Sequence, residues 1–199
     1  MCKEDCCAIH KMTASICLHQ ILVPLKSVMI KSELRGCLST TVFELSYVNP
    51  MSENPLECSY TFPVDPYSVM CDFEATIGDR KMVTKIQEKA AALEKYDDAI
   101  ASGKAAVLAT RSSLDKETLI KLGNLNPQQE ATIKMTIISI MECVNGQYQF
   151  HLPDAFHPDY FKHSLGDLNW NYSFGYEIKI LSKTPISNMI IPEFSVIAN

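Results

Sequence analysis

The chain has 199 residues, of which 47% are hydrophobic and 21% charged, with a formal net charge of −5. That usage is globular and excludes a mainly disordered chain. The absence of any dense Lys/Arg block argues against a nucleic-acid footprint or an electrostatic membrane anchor, and the best apolar run, Met135 to Met141, is strand-sized and too short for a membrane span.

Residues 1–20 show neither a helical nor an alternating period, and a flexible N-terminal tail is expected there. The opening MCKEDCC carries Glu4 and Asp5 and lacks a long apolar core, so it does not read as a secretory signal. The compartment expected is therefore reducing: the cytoplasm, with the nucleus also open. Eight cysteines (Cys2, Cys6, Cys7, Cys17, Cys37, Cys58, Cys71 and Cys143) are then expected as free thiols rather than as a disulfide framework. Cys58 and Cys71 fall in alternating segments and are expected to be small buried hydrophobes.

From Val23 onward the pattern is β. TTVFELSYV sets Phe43, Leu45 and Tyr47 on one face, and LECSYTF does the same with Leu56, Cys58, Tyr60 and Phe62. In VMCDFEATI the alternation of Val69, Cys71, Phe73, Ala75 and Ile77 is unbroken, and Gly78–Asp79 supplies a tight turn into a partner strand at Lys81–Thr84.

The stretch from Lys85 to Arg111 is different. A single helix is predicted at about 86–102, with Ile86, Ala90, Leu93 and Ile100 as its apolar stripe and Tyr96 on the flank. Gly103 suits a left-handed C-terminal cap, and Lys104 suits the negative end of the helix dipole. Ile86, Leu93, Tyr96 and Ile100 are expected to be buried on a sheet. Asp97 projects close to the stripe, either as a wet rim residue or as a buried carboxylate tying the helix to a strand or loop.

AAVLAT, TLIKLGNL, ATIKMTIISIM and QYQFHL follow as further strands, with turns marked by Asn126–Pro127 and Asn145–Gly146. The last strand sets Trp170, Tyr172, Phe174, Tyr176, Ile178 and Ile180 on one side. Short strands with a single helix predict a mainly β fold: an antiparallel β-sandwich with one packed α-helix.

Several motifs occur in an order and spacing that resemble a VIT domain, the vault protein inter-alpha-trypsin domain. They are Phe62–Pro63, Phe73–Glu74–Ala75, Gly78–Asp79, Tyr96 with Ala99, Gly103, Leu108, and Gly123–Asn124–Leu125–Asn126–Pro127. The resemblance covers about residues 21–161. Its opening VPLKSV looks closest to intracellular members of the von Willebrand factor A domain-containing 5A type. Residues 162–199 are expected to continue the sandwich or to lead towards a von Willebrand A domain, whose Asp-x-Ser-x-Ser adhesion motif does not occur here.

The chain departs from the family pattern at three edges. Gln128 stands where a Gly usually follows the Pro, Lys116–Glu117–Thr118–Leu119 replaces Asp-Val/Ile-Phe, and Ile138 to Glu142 replaces Tyr-Val-Gln-Glu. The resemblance implies a non-catalytic module for protein–protein interaction or interdomain scaffolding. It implies no cofactor and leaves the protein partner and the oligomeric state open.

The rival chemistry sits in two Cys/His-rich segments. Cys2, Cys6, Cys7 and His10 are soft ligands within nine residues, though their spacing matches no standard zinc finger and suits a loose or palmitoylated tail as well. His151, His157 and His163 with Asp154 and Asp159 fall in a proline-broken loop. Either segment would be needed for a Cys/His-dependent enzyme or a zinc-binding module. With no phosphate loop and no nucleophile elbow in the sequence, no catalytic residue is assigned.

Overall fold

The computed structural model describes residues 12–16, 19–63, 67–83, 89–111, 117–152 and 172–191. Within them the strands are β1 (Met12–Ile16), β2 (His19–Leu22), β3 (Leu25–Arg35), β4 (Leu38–Val48), β5 (Leu56–Pro63), β6 (Ser68–Ile77) and β7 (Arg80–Val83). Helix α1 (Lys89–Ala101) precedes β8 (Ala106–Arg111), β9 (Glu117–Leu125), β10 (Glu130–Ile140), β11 (Glu142–Val144), β12 (Gln147–Gln149) and β13 (Ser173–Leu181). One sheet runs β2-β1-β5-β9-β8, a second runs β13-β3-β4-β10-β6-β7, and β11 and β12 form a separate hairpin. The two large sheets pack together, so the described residues form a mainly β fold with one helix, as the alternation predicts.

The apolar residues lie where strand periodicity puts them. Three rows cross the inner face of the six-stranded sheet: Leu25–Tyr47–Ala131–Ile77, Val28–Leu45–Ile133–Ala75 and Ile30–Phe43–Met135–Phe73. Every member of these rows is buried. They meet Leu56, Cys58, Ile120, Leu122 and Leu125 of the other sheet in one core. Burying each Leu or Ile contributes about 1.5–3 kcal/mol, so this interdigitated layer carries most of the stability. Further along the same face the rows turn polar, with Ser32 bonded to Thr41 at 3.0 Å and Ser68 to Ser139 at 2.7 Å. These hydroxyls pair with each other, which offsets their desolvation.

Two strand expectations need correction. Thr136 pairs with Asp72 but Ile137 pairs with Met70, so Cys71 is an extra residue in β6. This bulge flips the strand, as one inserted residue must. Phe73, Ala75 and Ile77 stay in the core, while Cys71 and Val69 turn out to solvent. Cys71 is therefore not the buried hydrophobe expected of it; Cys58 is, at 1% exposure. The second correction concerns direction: β13 pairs with β3 in parallel, so the second sheet is mixed rather than wholly antiparallel.

The turns follow from their residues. Asn145 and Gly146 both take positive φ, 52° and 77°, and close the β11–β12 hairpin, the chemistry that Asn-Gly offers a two-residue turn. Gly78 and Asp79 connect β6 to β7.

Candidate functional site

The described part of the helix covers 89–101; residues 84–88, including Ile86, lie outside the described residues. Its buried face is centred on Tyr96, 5% exposed, which packs with Ala106 and Leu108 of the edge strand β8. Ala92, Ala99 and Ile100 flank it, at the i−4, i+3 and i+4 positions that share a helix face. Leu93 is 41% exposed, which corrects its expected burial. The seam is narrower than the stripe read from large side chains. Two alanines let the helix lie close on one edge strand, and this rotates the face towards Tyr96 and leaves Leu93 at the rim.

The sheet beneath is shaped for this contact. Leu56 pairs with Leu125 and Cys58 with Leu122, so Glu57 of β5 faces two residues of β9, Gly123 and Asn124. Asn124 takes the extra turn of this bulge with φ 56°, a conformation Asn tolerates better than most residues. A β-carbon on Gly123 would stand 1.9 Å from Ile100 Cδ1 and 2.9 Å from the Tyr96 hydroxyl. The glycine is thus the floor on which the helix rests.

Polar groups fix the same junction. The Tyr96 hydroxyl donates to Glu57 Oε1 at 3.0 Å. Asn124 Nδ2 donates to the carbonyls of Ile100 and Lys104 at 3.3 and 3.0 Å, meeting the helix end where carbonyls lack intrahelical partners. Gly103, at φ 69°, completes that end: its N–H donates to Ile100 O and the Lys104 N–H to Ala99 O, both at 2.9 Å. This is the paired closure of a Schellman turn.

A second polar node lies just beyond the junction, at the same C-terminal end of β9. Asn49 is fully buried, and its side chain makes three hydrogen bonds: Nδ2 donates to Leu125 O at 2.8 Å and Asn54 O at 3.1 Å, while Oδ1 accepts the Met51 N–H at 2.9 Å. Its backbone pairs with Gln128 and Gln129 in the β9–β10 turn. Gln128 has φ 57°, where the resemblance leads one to expect glycine, and its Nε2 donates to Pro50 O and Met51 O at 3.2 and 3.1 Å. Those bonds offset the cost of a left-handed non-glycine residue.

Two groups here, Cys58 and Tyr96, hold their protons more tightly than usual. Burial, and then the Glu57 carboxylate, push the Cys58 thiol up to about 12. The same two causes raise the Tyr96 phenol well above its ordinary value. A thiol so placed is a poor nucleophile at neutral pH, because the thiolate is the reactive form, and the phenol serves as a hydrogen-bond donor.

Asp97 is exposed, so of its two readings it is the wet rim residue and not the buried tether, and the helix is held through Tyr96 instead. His151 is exposed; His157, His163, Asp154, Asp159, Cys2, Cys6, Cys7 and His10 lie outside the described residues. Among the described residues, no group of three or more His, Cys, Asp or Glu could hold a metal ion, and Cys37, Cys58, Cys71 and Cys143 are free thiols. Among the same residues no helix is long and apolar enough to cross a membrane.

Glu57 carries no signal in the sequence beyond the polar alternation of its strand, and Asn49 carries none beyond its place before Pro50. Gly123 and Asn124 stand there only as part of a motif without a role.

Comparison with known proteins adds the relationships. A von Willebrand factor A domain-containing protein of Dictyostelium discoideum is 32% identical over 182 residues, 91% of this chain and 18% of that protein. The human protein mono-ADP-ribosyltransferase PARP4 is 32% identical over 69% of this chain and 8% of its own length. Human von Willebrand factor A domain-containing protein 5A is 30% identical over 72% of this chain and 18% of its own length. The chain thus spans less than a fifth of each of these relatives. The sequence pattern of the vault protein inter-alpha-trypsin domain matches residues 25–137, more than half of the chain, from β3 almost to the end of β10. The chain belongs to the VIT domain family.

Proposed function

We propose that this chain is a non-catalytic VIT module that works as a protein–protein interaction or interdomain scaffold, in the cytoplasm or nucleus. The observation that carries this reading is the company the module keeps. It recurs at 30–32% identity in proteins named for a von Willebrand A domain and in one named as a mono-ADP-ribosyltransferase. A part common to proteins of such different description supplies attachment more readily than chemistry. The helix–sheet junction supports the same reading, because its glutamate, tyrosine and asparagine are used on one another and on backbone carbonyls. The net charge of −5 favours a protein partner over a nucleic acid.

The test is binding in trans. The immobilised 199-residue chain is titrated with the purified von Willebrand A domain of human protein 5A, and separately used to retain partners from cell extract for identification. Saturable binding of the purified domain supports the scaffold reading. No binding of that domain, together with no retained protein above a β-sandwich control, contradicts it.

A further inference from the structure

We infer that β13 is a self-association edge, pairing antiparallel with β13 of a second copy about a two-fold axis through Ile178. β13 is an outer strand of the six-stranded sheet and has nine residues, against four in β7 at the opposite edge. In the other sheet, β8 has six residues and carries the helix over its face, and β2 has four residues. Among the described residues, β13 is therefore the longest sheet edge. It contains no proline, and its pairing with β3 runs without a bulge. Those are the features by which an edge ordinarily resists pairing.

The side chains specify which partner fits. On one face Ile178 and Ile180 are 37% and 39% exposed, large apolar groups at successive positions of that face. On the other face stand Glu177 and Lys179, both exposed. A lone edge lysine repels a second strand, but here a glutamate lies two positions before it. Antiparallel pairing centred on Ile178 puts Glu177 opposite Lys179 of the second copy, and Lys179 opposite its Glu177. Within the chain, Glu177 already sits beside Lys31 of β3, and Lys179 beside Glu33. Across the axis each row would read Lys31, Glu177, Lys179, Glu33, alternating in sign from one copy to the other. On the apolar face Ile178 meets its own equivalent, and Ile180 meets Tyr176. Opposite charges and β-branched pairs placed directly across strands are stabilising, like charges destabilising. A closed two-fold contact of this kind is self-limiting and would join the sheets of two copies into one.

Sedimentation velocity over a concentration series of the full chain tests the pairing. Wild type should show a reversible dimer. Lys179→Glu sets Glu against Glu at both crossings, and Glu177→Lys sets Lys against Lys; each should weaken dimerisation about tenfold. The double variant Glu177→Lys/Lys179→Glu restores opposite charges across the axis and should recover most of that loss. Ile178→Lys, which places like charges on the axis, should leave a folded monomer by circular dichroism. A wild type that stays monomeric throughout, single variants that associate like wild type, or a double variant as weak as the singles would each overturn the proposal.

Discussion

The Tyr96 hydroxyl donates to Glu57 Oε1 at 3.0 Å, joining the helix to β5 across the intervening strand β9. The bond lies at the edge of the junction, and Glu57 is itself exposed, so water can replace the phenol. Tyr96→Phe should therefore cost only about 1 kcal/mol in denaturant melts. Tyr96→Ala removes the ring that fills the seam and should cost about 3–5 kcal/mol. Equal losses for the two variants would show that the ring's packing contributes nothing.

Asn49 offers the opposite case, a polar residue with no water to fall back on. Asn49→Ala leaves the Leu125 carbonyl, the Asn54 carbonyl and the Met51 N–H without their side-chain partner. It should cost about 3 kcal/mol. Asn49→Asp should cost at least as much, because a carboxylate oxygen would then face two carbonyls. A loss below about 1 kcal/mol for either would contradict the clamp.

On the outer side of the helix, substitution should matter little. Leu93→Ala is expected to cost under about 1 kcal/mol, since the side chain stays partly in water, against about 2–5 for a buried leucine. Asp97→Asn and Asp98→Asn should each fall within about 0.5 kcal/mol of wild type, with a slight gain from the helix dipole. A Leu93→Ala loss as large as that of Tyr96→Ala would restore the stripe read from sequence.

Alkaline pH should unfold the chain through its buried proton donors. Cys58 rises from 9.0 to about 12 on folding, and burial raises Tyr47 and Tyr96 in the same direction. A raised folded pKa means that the native state holds the proton more tightly. The stabilisation is therefore complete below the unfolded value and is lost as pH climbs towards the folded one. Stability should hold level to about pH 9 and then fall, at about 1.4 kcal/mol per pH unit for each proton involved. Cys58→Ala should lower the baseline and flatten the first part of that fall. A curve for the variant parallel to wild type from pH 9 to 10 would exclude Cys58 as a source.

The strand faces were legible in the sequence because alternation reports burial directly; Phe43, Leu45 and Tyr47 lie where their spacing sets them. Bulges were not. The alternation of β6 continues unbroken through Cys71, and only the partner strand shows that one residue is extra. The helix face was misplaced for a related reason. Ala92 and Ala99 carry weak apolar signal yet form the seam, while Leu93 carries a strong one and sits at its rim. The Asn49 node depends on carbonyls up to 76 positions away, which no local window contains. For β13, spacing identified the apolar side but held no information on its neighbour or direction.

Gly123 is the floor of the helix–sheet junction, and a double-mutant cycle between Ile100 and Gly123 measures that contact. Gly123→Ala places a methyl group where Ile100 Cδ1 now lies, 1.9 Å from the new β-carbon. It should cost about 1–3 kcal/mol through forced repacking. Ile100→Ala removes the obstructing atoms and leaves a gap that the new methyl partly fills. The double variant should then be more stable than the sum of the single losses predicts, by about 1 kcal/mol or more in denaturant melts. Losses that simply add would contradict the account, because they would place Ile100 and Gly123 out of contact.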